Sequence, residues 1–227
     1  MKTAYTEEEI KRILAAEKFT YQRVQLPYGL STSGKDRSAT RDLIFPERLA
    51  GKSVLDVGSA LGYFCFEAEA QGATRILGLE LNDERLRQSL LLKDILGSNA
   101  EFVRRDVVNE PLTEQFDCVF FLNVIHHLDE PMRAISLLAA MTRERLVIEF
   151  PTFADKRFRR NVGLRFPSFY NRLPLIGVSS RKKRTDQTFV FTPAAMLRIL
   201  QDHRQFFGKV KIIDSPMKDR KIAICEK

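Results

Sequence analysis

Three carboxylates stand where three apolar segments of this chain end: Asp56 in "VLDVGSALGYF", Glu80 in "GLEL" and Asp106 in "RRDV". Asp56 is followed by a loop of small residues, with Gly58, Ser59 and Gly62 letting a ligand approach the backbone closely. A negative charge two residues before Gly58 repels a pyrophosphate and suits a ligand that carries an ammonium group. The spacing Gly58-x-x-x-Gly62 also misses the dinucleotide pattern G-x-G-x-x-G, and the P-loop lysine is absent. Glu80, with Leu81 beside it, sits where an acid accepts hydrogen bonds from a ribose diol and rejects a 2′-phosphate. Asp106 can accept from an adenine exocyclic amine, while Val107 offers backbone pairing and apolar contact. Alone, each acid reads as a surface charge or a helix cap. In this order, and with the small-residue loop, they point to a nucleoside cofactor.

Alternating strands and helices are needed to bring these groups to one edge of a sheet. "SVLDVG" reads as a buried strand, then a helix from about Tyr63 to Gln71 stops at Gly72. "RILGLEL" is a second strand, and "DERLRQSLLLKDILG" a helix ending at Gly97. "AEFVRRDV" and "FDCVFFLNV" are the third and fourth strands, with Asp106 closing the third. A helix through "PMRAISLLAAM" then leads to a fifth strand, "RLVIEF". Near-continuous apolar strands separated by helices imply a parallel sheet covered on both faces. Upstream, Thr6 caps an amphipathic helix over Thr6 to Phe19. A linking stretch rich in turn formers follows it, and then a short helical approach through "LIFPERLAG". Downstream, Thr192 and Pro193 open a helix through "TPAAMLRILQDHRQFF". The strands "KVKIIDS" and "RKIAICEK" are separated only by "PMKD", too short for a helical crossover, so they pair antiparallel.

The predicted architecture is α/β: a Rossmann-like, seven-stranded, mostly parallel sheet with an antiparallel C-terminal hairpin and helices on both faces. One domain over 1–227 is expected. It comprises an N-terminal helix and cofactor-capping segment (1–50), a cofactor-binding core (51–150), a basic aromatic acceptor cover (151–190), and the final helix and hairpin (191–227).

The set "VLDVGSALGYF … GLEL … RRDV … FDCVFFLNVIHHL" resembles the class I S-adenosylmethionine-dependent methyltransferases, and the final hairpin is similar to theirs. That resemblance implies that Asp56, Gly58, Ser59 and Gly62 surround the methionine part, Glu80 holds the ribose, and Asp106 with Val107 reads the adenine. Where the family often has a third glycine this chain has Ala60, from which a modest tightening of the pocket is expected, not loss of binding. The approach "FTYQRVQLPYGLSTSGKDRS" adds a narrower resemblance, to the branch holding tRNA wobble-uridine carboxymethyltransferases and sugar- or lipopolysaccharide-modifying relatives. By it Gln22, Lys35 and Arg37 cap the cofactor. The tRNA enzymes hold a carboxylated cofactor with extra basic and aromatic residues, including tryptophans. This chain has no tryptophan, so ordinary S-adenosyl-L-methionine is expected, with Lys35 leaving the carboxylated form open.

Methyl transfer from a sulfonium is an in-line displacement, so the protein aligns the acceptor and, for a hydroxyl, removes a proton. "NVIHHL" follows the fourth strand: Asn123 is placed to touch the cofactor, and His126 or His127 to act as general base, His127 being preferred. Glu149 is expected at the end of the fifth strand, as a second group gripping the acceptor.

Charge is unevenly spread. The net charge is +8, and Lys156 to Arg184 carries ten basic residues and no acid, interleaved with aromatics such as Phe158, Phe166, Phe169 and Tyr170. Such a segment can bind RNA, lie on an anionic membrane surface, grip a phosphorylated glycan or lipid carrier, or simply pack as a lid.

With 44% hydrophobic residues the chain is globular, and no stretch approaches the roughly 20 apolar residues of a membrane span. The opening lacks the apolar run of a signal peptide, and Cys65, Cys118 and Cys225 lie in apolar segments without metal-type spacing. Reduced cysteines, a cytoplasmic location and no metal are therefore expected. The predicted activity is methylation of an oxygen on a small-molecule, sugar or glycan acceptor, because the Asn/Asp-Pro-Pro-aromatic motif of amino-methylating nucleic-acid enzymes is absent. A tRNA-modifying methyl- or carboxymethyltransferase is the second reading, and a non-catalytic cofactor-binding partner subunit the third. The oligomeric state is not legible in the sequence.

Overall fold

The computed structural model describes residues 3–163, 167–179, 188–203 and 206–227. Arg165 and Phe166, and the basic run Arg181 to Arg184, thus lie outside the described residues. Contacts divide the chain into two compact units, 1–106 and 107–227.

In the first unit, helix α1 (Glu7–Ala16) is nucleated by a reciprocal cap. The Glu9 N–H donates to the Thr6 hydroxyl, and the Thr6 N–H donates to the Glu9 carboxylate at 2.8 Å. The linking stretch is itself folded. Gln22 bridges to Lys35 and Gln25 to Ser31, while the buried Thr32 hydroxyl donates to the Gln22 carbonyl and accepts the Val24 N–H. The expected helical approach falls earlier in the chain. Helix α2 (Ser38–Ile44) ends at Phe45, which is extended because Pro46 follows it. Strand β1 (Ser53–Val57), helix α3 (Tyr63–Ala70), strand β2 (Arg75–Leu79) and helix α4 (Asp83–Leu96) then follow as read. Gly97 closes α4 in the left-handed conformation, and Asn82 caps its start. Strand β3 (Glu101–Val103) is shorter than expected. Its partner β2 stops at Leu79, opposite Val103, so the ladder ends there and Asp106 lies three residues past the strand.

The second unit carries strand β4 (Phe116–Leu122), helix α5 (Pro131–Met141) and strand β5 (Thr142–Pro151). Strand β5 is longer than the apolar core "RLVIEF", because it is paired on both sides: parallel to β4, and antiparallel to the last strand over Arg145 to Pro151. A small substructure follows, made of helices α6 (Lys156–Val162) and α7 (Pro167–Tyr170) and strands β6 (Ile176–Val178) and β7 (Phe189–Phe191), the two strands pairing antiparallel. Helix α8 (Pro193–Leu197) starts behind the Thr192 cap and continues as a π-helical turn over Arg198–His203. Strands β8 (Lys209–Asp214) and β9 (Arg220–Glu226) form the antiparallel hairpin. The sheet order is β3-β2-β1-β4-β5-β9-β8, which is the seven-stranded, mostly parallel arrangement expected. Among the described residues no helix is long and apolar enough to cross a membrane, and no group of metal-ligating side chains is assembled.

Candidate functional site

The loop after β1 has an unusual hydrogen-bond account. Gly58 and Ser59 donate their N–H groups to the Leu79 carbonyl, at 2.7 and 3.0 Å. Ala60 donates to the Glu80 carboxylate at 2.9 Å, and Gly62 to the Ser59 carbonyl. Leu61 and Tyr63 both donate to the Gln22 side-chain carbonyl, at 3.0 and 3.3 Å. Every N–H from Gly58 to Tyr63 is therefore spent inside the protein. A phosphate-binding loop works the other way, aiming such amides at the ligand. This loop offers acids instead.

Asp56, near the end of β1, is 2% exposed, and Glu80, just past β2, is 7% exposed. Burial pushes the Asp56 carboxyl up to about 7, and the neighbouring Glu80 charge adds to the rise. The Cys65 thiol donates weakly to Asp56 at 3.9 Å and, with the Arg37 guanidinium, pulls the other way. Burial beside that carboxylate also holds the Cys65 thiol well above its ordinary range. Glu80 is fixed at both oxygens, one accepting from Ala60 and the other from the Asn82 N–H at 2.8 Å. Each oxygen keeps a second lone pair for a ligand hydroxyl. The Ser59 hydroxyl is fully buried with no hydrogen-bond partner, one further polar atom available at the loop. This set matches a nucleoside with a cationic amino-acid tail: acceptors for a diol, a carboxylate for an ammonium, and no amide cradle for phosphate.

The remaining predicted residues of this unit differ in burial and in backbone role. Gly62 has φ +87°, and a Cβ there would meet the Phe102 ring at 2.5 Å, so its missing side chain serves backbone conformation and packing. Gln22 lies beneath the loop as its anchor. Arg37 is buried, its guanidinium 5.7 Å from the Phe64 ring centroid. Lys35 is exposed and contributes backbone pairing, and Leu81 is exposed. Asp106 is half-buried. Gln22's role in holding the loop was not legible from its sequence position.

In the second unit, Val107 is buried, and Asn123 follows β4 with φ +62°. The Asn123 amide donates to the Glu149 carboxylate and lies 3.4 Å from the Met217 sulfur. Glu149 is not at the end of its strand but within β5, fully buried, where the Ser215 hydroxyl donates to its other oxygen. The expectation that Glu149 grips an acceptor gives way to a clasp between β4, β5 and the β8–β9 turn. Ser215 and Met217 carried no signal in the sequence. His126 and His127 form a 3-10 turn after β4, their ring centroids 4.0 Å apart. His126 is 1% exposed, its Nδ1 has no partner, and its backbone carbonyl accepts from Thr188. Burial, with help from the His127 and Arg220 charges, pushes the His126 imidazole well below its ordinary range and keeps it neutral. His127 is half-buried.

Comparison with known proteins converges on one family. A methyltransferase domain profile matches residues 35–209. The tRNA U34 carboxymethyltransferase of Saccharophagus degradans is 32% identical over 111 residues, 44% of this chain and 34% of that protein. The ubiquinone biosynthesis O-methyltransferase of Pseudomonas fluorescens Pf0-1 is 32% identical over 97 residues, 42% of this chain and 41% of that protein. The chain thus matches well under half the length of either relative. Among solved structures, the N-terminal domain of EvdMO1, determined with S-adenosylhomocysteine and D-fucose, superposes with a TM-score of 0.70 at 16% identity, covering 98% of this chain and 97% of that one. The magnesium protoporphyrin IX methyltransferase of Synechocystis PCC 6803 superposes with a TM-score of 0.56 at 19% identity, over 79% of this chain and 75% of that one. Loop, acids, strand order and profile agree: this chain belongs to the methyltransferase-domain family, in its class I S-adenosylmethionine-dependent form.

Proposed function

We propose that this methyltransferase methylates a hydroxyl of a small-molecule, sugar or glycan acceptor, with Asp56, Glu80, Ser59 and Asp106 holding the cofactor and His127 acting as general base. When bound, S-adenosylmethionine supplies a methyl group already activated by its sulfonium. Asp56, once ionised, pairs with the ammonium of the amino-acid tail. Glu80 is held rigid by two backbone N–H groups and accepts from the ribose hydroxyls. His127 takes the acceptor's proton as the new O–C bond forms.

The observation that carries the acceptor reading is the pair of rings in contact after β4, tilted by 47°, one buried and neutral, the other partly open. A neutral His126 adds no positive charge beside His127. General-base removal typically costs a factor of 10² to 10⁴. His127→Ala should therefore lower turnover on a hydroxyl acceptor by about that factor while S-adenosylhomocysteine affinity stays unchanged. Full turnover in that variant would remove His127 from the chemistry.

The charge of the 156–184 segment supports a second reading, methylation or carboxymethylation of tRNA. Backbone phosphate contacts make such binding steeply salt-dependent. Absence of tRNA binding at low salt would dismiss it. The aromatics that would stack on bases are partly committed elsewhere, since Phe153 and Phe158 are buried with Val190 in a small core of their own.

A further inference from the structure

The link between α1 and α2 doubles back on itself to form a ribbon. Residues 21–26 alternate in burial, with Tyr21, Arg23 and Gln25 exposed and Gln22, Val24 and Leu26 buried. Gln22 is thus the polar member of a buried set that is otherwise apolar. The returning chain is held close: the Arg23 N–H donates to the Lys35 carbonyl at 2.8 Å, and the Lys35 N–H to the Tyr21 carbonyl at 3.2 Å. Gly34 packs flat on Gln22, where an added Cβ would fall 2.3 Å from its backbone atoms. The Ser33 N–H donates to the Phe19 carbonyl at 3.2 Å, which ties in the end nearest α1.

This ribbon is attached at two places. Its seat is the loop after β1, where the Gln22 side-chain carbonyl accepts the N–H groups of Leu61 and Tyr63. Tyr63 opens α3, and the cap residue Gly62 has no side chain to satisfy that donor. The second attachment is to the start of α4. Arg87 forms two bonds with the Glu17 carboxylate, at 2.8 and 2.6 Å, and the Arg85 guanidinium lies 4.4 Å from the Tyr21 ring centroid. Arg87 and Tyr21 are exposed, so water and salt compete with both contacts. Asp56, Ser59 and Glu80 are meanwhile buried, and a nucleoside arriving from solvent needs a neighbouring element to move before it meets them. The loop is fixed by the Leu79 carbonyl and the Glu80 carboxylate, whereas the ribbon is joined to it through a side chain. Phe19, Val24 and Leu26 are buried, which makes closed the resting state and opening a brief excursion.

We infer that residues 17–37 are a strap that gates cofactor exchange, with Gln22 the positioning residue that seats it on the loop and Arg85 and Arg87 the latch that holds it shut. The inference rests on the assignment of Asp56, Ser59 and Glu80 to the cofactor. Glu17 and Tyr21 are not among the groups assigned to the cofactor, so the latch has the same strength in the empty and the loaded protein. A weaker latch raises the open population of both, which speeds entry and release together and leaves the affinity nearly unchanged. Loss of the seat acts differently. It leaves the Leu61 and Tyr63 donors without their acceptor, so the loop loosens and affinity falls.

The chain has no tryptophan, so Tyr21→Trp supplies a single fluorophore on the strap while keeping an aromatic face for Arg85. In that background, stopped-flow mixing with S-adenosylhomocysteine reads entry, and a chase with excess S-adenosylmethionine reads release. Arg87→Glu should speed both by about threefold to fivefold, with the affinity by calorimetry changed less than about twofold. Glu17→Arg should do the same, and the two changes together should restore the rates, because the ion pair is remade with its charges exchanged. Deuterium exchange at the Leu61 and Tyr63 amides should quicken by a similar factor in Arg87→Glu with no cofactor present. Gln22→Leu should instead weaken affinity by roughly tenfold, and Gln22→Glu, which keeps an acceptor at the same reach, should recover most of it. Unchanged circular dichroism confirms that the variants fold. Unaltered rates and exchange in Arg87→Glu would overturn the inference, as would rates that the exchanged pair does not restore. Faster amide exchange with unaltered entry and release would show a strap that gates nothing, and would overturn it too. Unchanged affinity in Asp56→Asn would instead overturn the cofactor assignment, and the inference with it.

Discussion

Two buried carboxylates in this protein are treated in opposite ways. Glu149 is surrounded by donors: the Asn123 amide reaches one oxygen and the Ser215 hydroxyl the other. Asp56 has a thiol at 3.9 Å and a second carboxylate nearby. The first arrangement offsets the cost of burying a charge within the fold itself, and the second offsets it only in part, through the Arg37 guanidinium and the weak thiol contact. Glu149 is tied into the fold by donors from two other stretches of chain, whereas the one hydrogen bond to Asp56 is from a weakly donating thiol. The loop amides teach the same lesson, since all are consumed internally, which leaves the acids and the Ser59 hydroxyl as polar groups at the loop.

The comparison predicts opposite outcomes on removal. Glu149→Ala leaves two half-buried donors without their carboxylate, each costing about 1–3 kcal/mol, and should lower the unfolding free energy by about 2–4 kcal/mol in urea titration. Asp56→Asn should weaken S-adenosylhomocysteine binding by roughly a hundredfold, about 3 kcal/mol by calorimetry, while leaving the protein folded. If Asp56→Asn proved the more destabilising change, the contrast between the two acids would fail.

A pH series sharpens the contrast. The Asp56 carboxyl is raised from 3.8 to about 7, so the folded protein holds a proton there that the unfolded chain releases. Its contribution to stability is fully present below about pH 4 and lost as pH rises through about 7. Relative to the wild type, Asp56→Asn should thus gain stability between pH 5 and pH 8, by about 1 kcal/mol or more at the upper end. Cofactor affinity runs the other way, because the ammonium needs the ionised acid. Binding of S-adenosylhomocysteine to the wild type should fall by up to about tenfold per pH unit below 7, and be nearly level above it. In Asp56→Asn that slope should vanish.

These two regions also differ in how much of them the sequence disclosed. Strands β1, β2 and β4 are near-continuous apolar runs, and Asp56 and Glu80 at the ends of the first two follow from one local pattern. Thr6, Asn82, Thr192 and Gly97 act as the helix signals their types suggest. The Glu149 clasp joins residues from three separate stretches, Asn123, Glu149 and Ser215, and no local period encodes such a meeting. Gln22 was attached to the cofactor by resemblance, but its contact with two amides some 40 residues on is tertiary. The end of β3 depended on where its neighbour β2 stops, and the end of α2 on a proline two residues past it. Local chemistry was legible in both regions, and long-range partnership in neither.

Ala60 tests the smallest of these differences. Its backbone sits at φ +53°, and it is 1% exposed, with its N–H held by Glu80. A Cβ in the left-handed region costs roughly 1–2 kcal/mol, a strain that glycine would not feel. Glycine in turn loses more freedom on folding, which returns part of that gain. Ala60→Gly should therefore stabilise the protein by about 0.5–1 kcal/mol in urea titration, with cofactor affinity changed less than threefold. The expected tightening of the pocket thus resolves into backbone strain: alanine is tolerated here because Glu80 and Gln22 hold the loop on either side of it. Removing one of those anchors should expose the strain. In Glu80→Gln the gain from Ala60→Gly should grow, because the loop then has fewer bonds fixing a conformation alanine disfavours. An equal gain in both backgrounds would mean that the strain is borne by Ala60 alone.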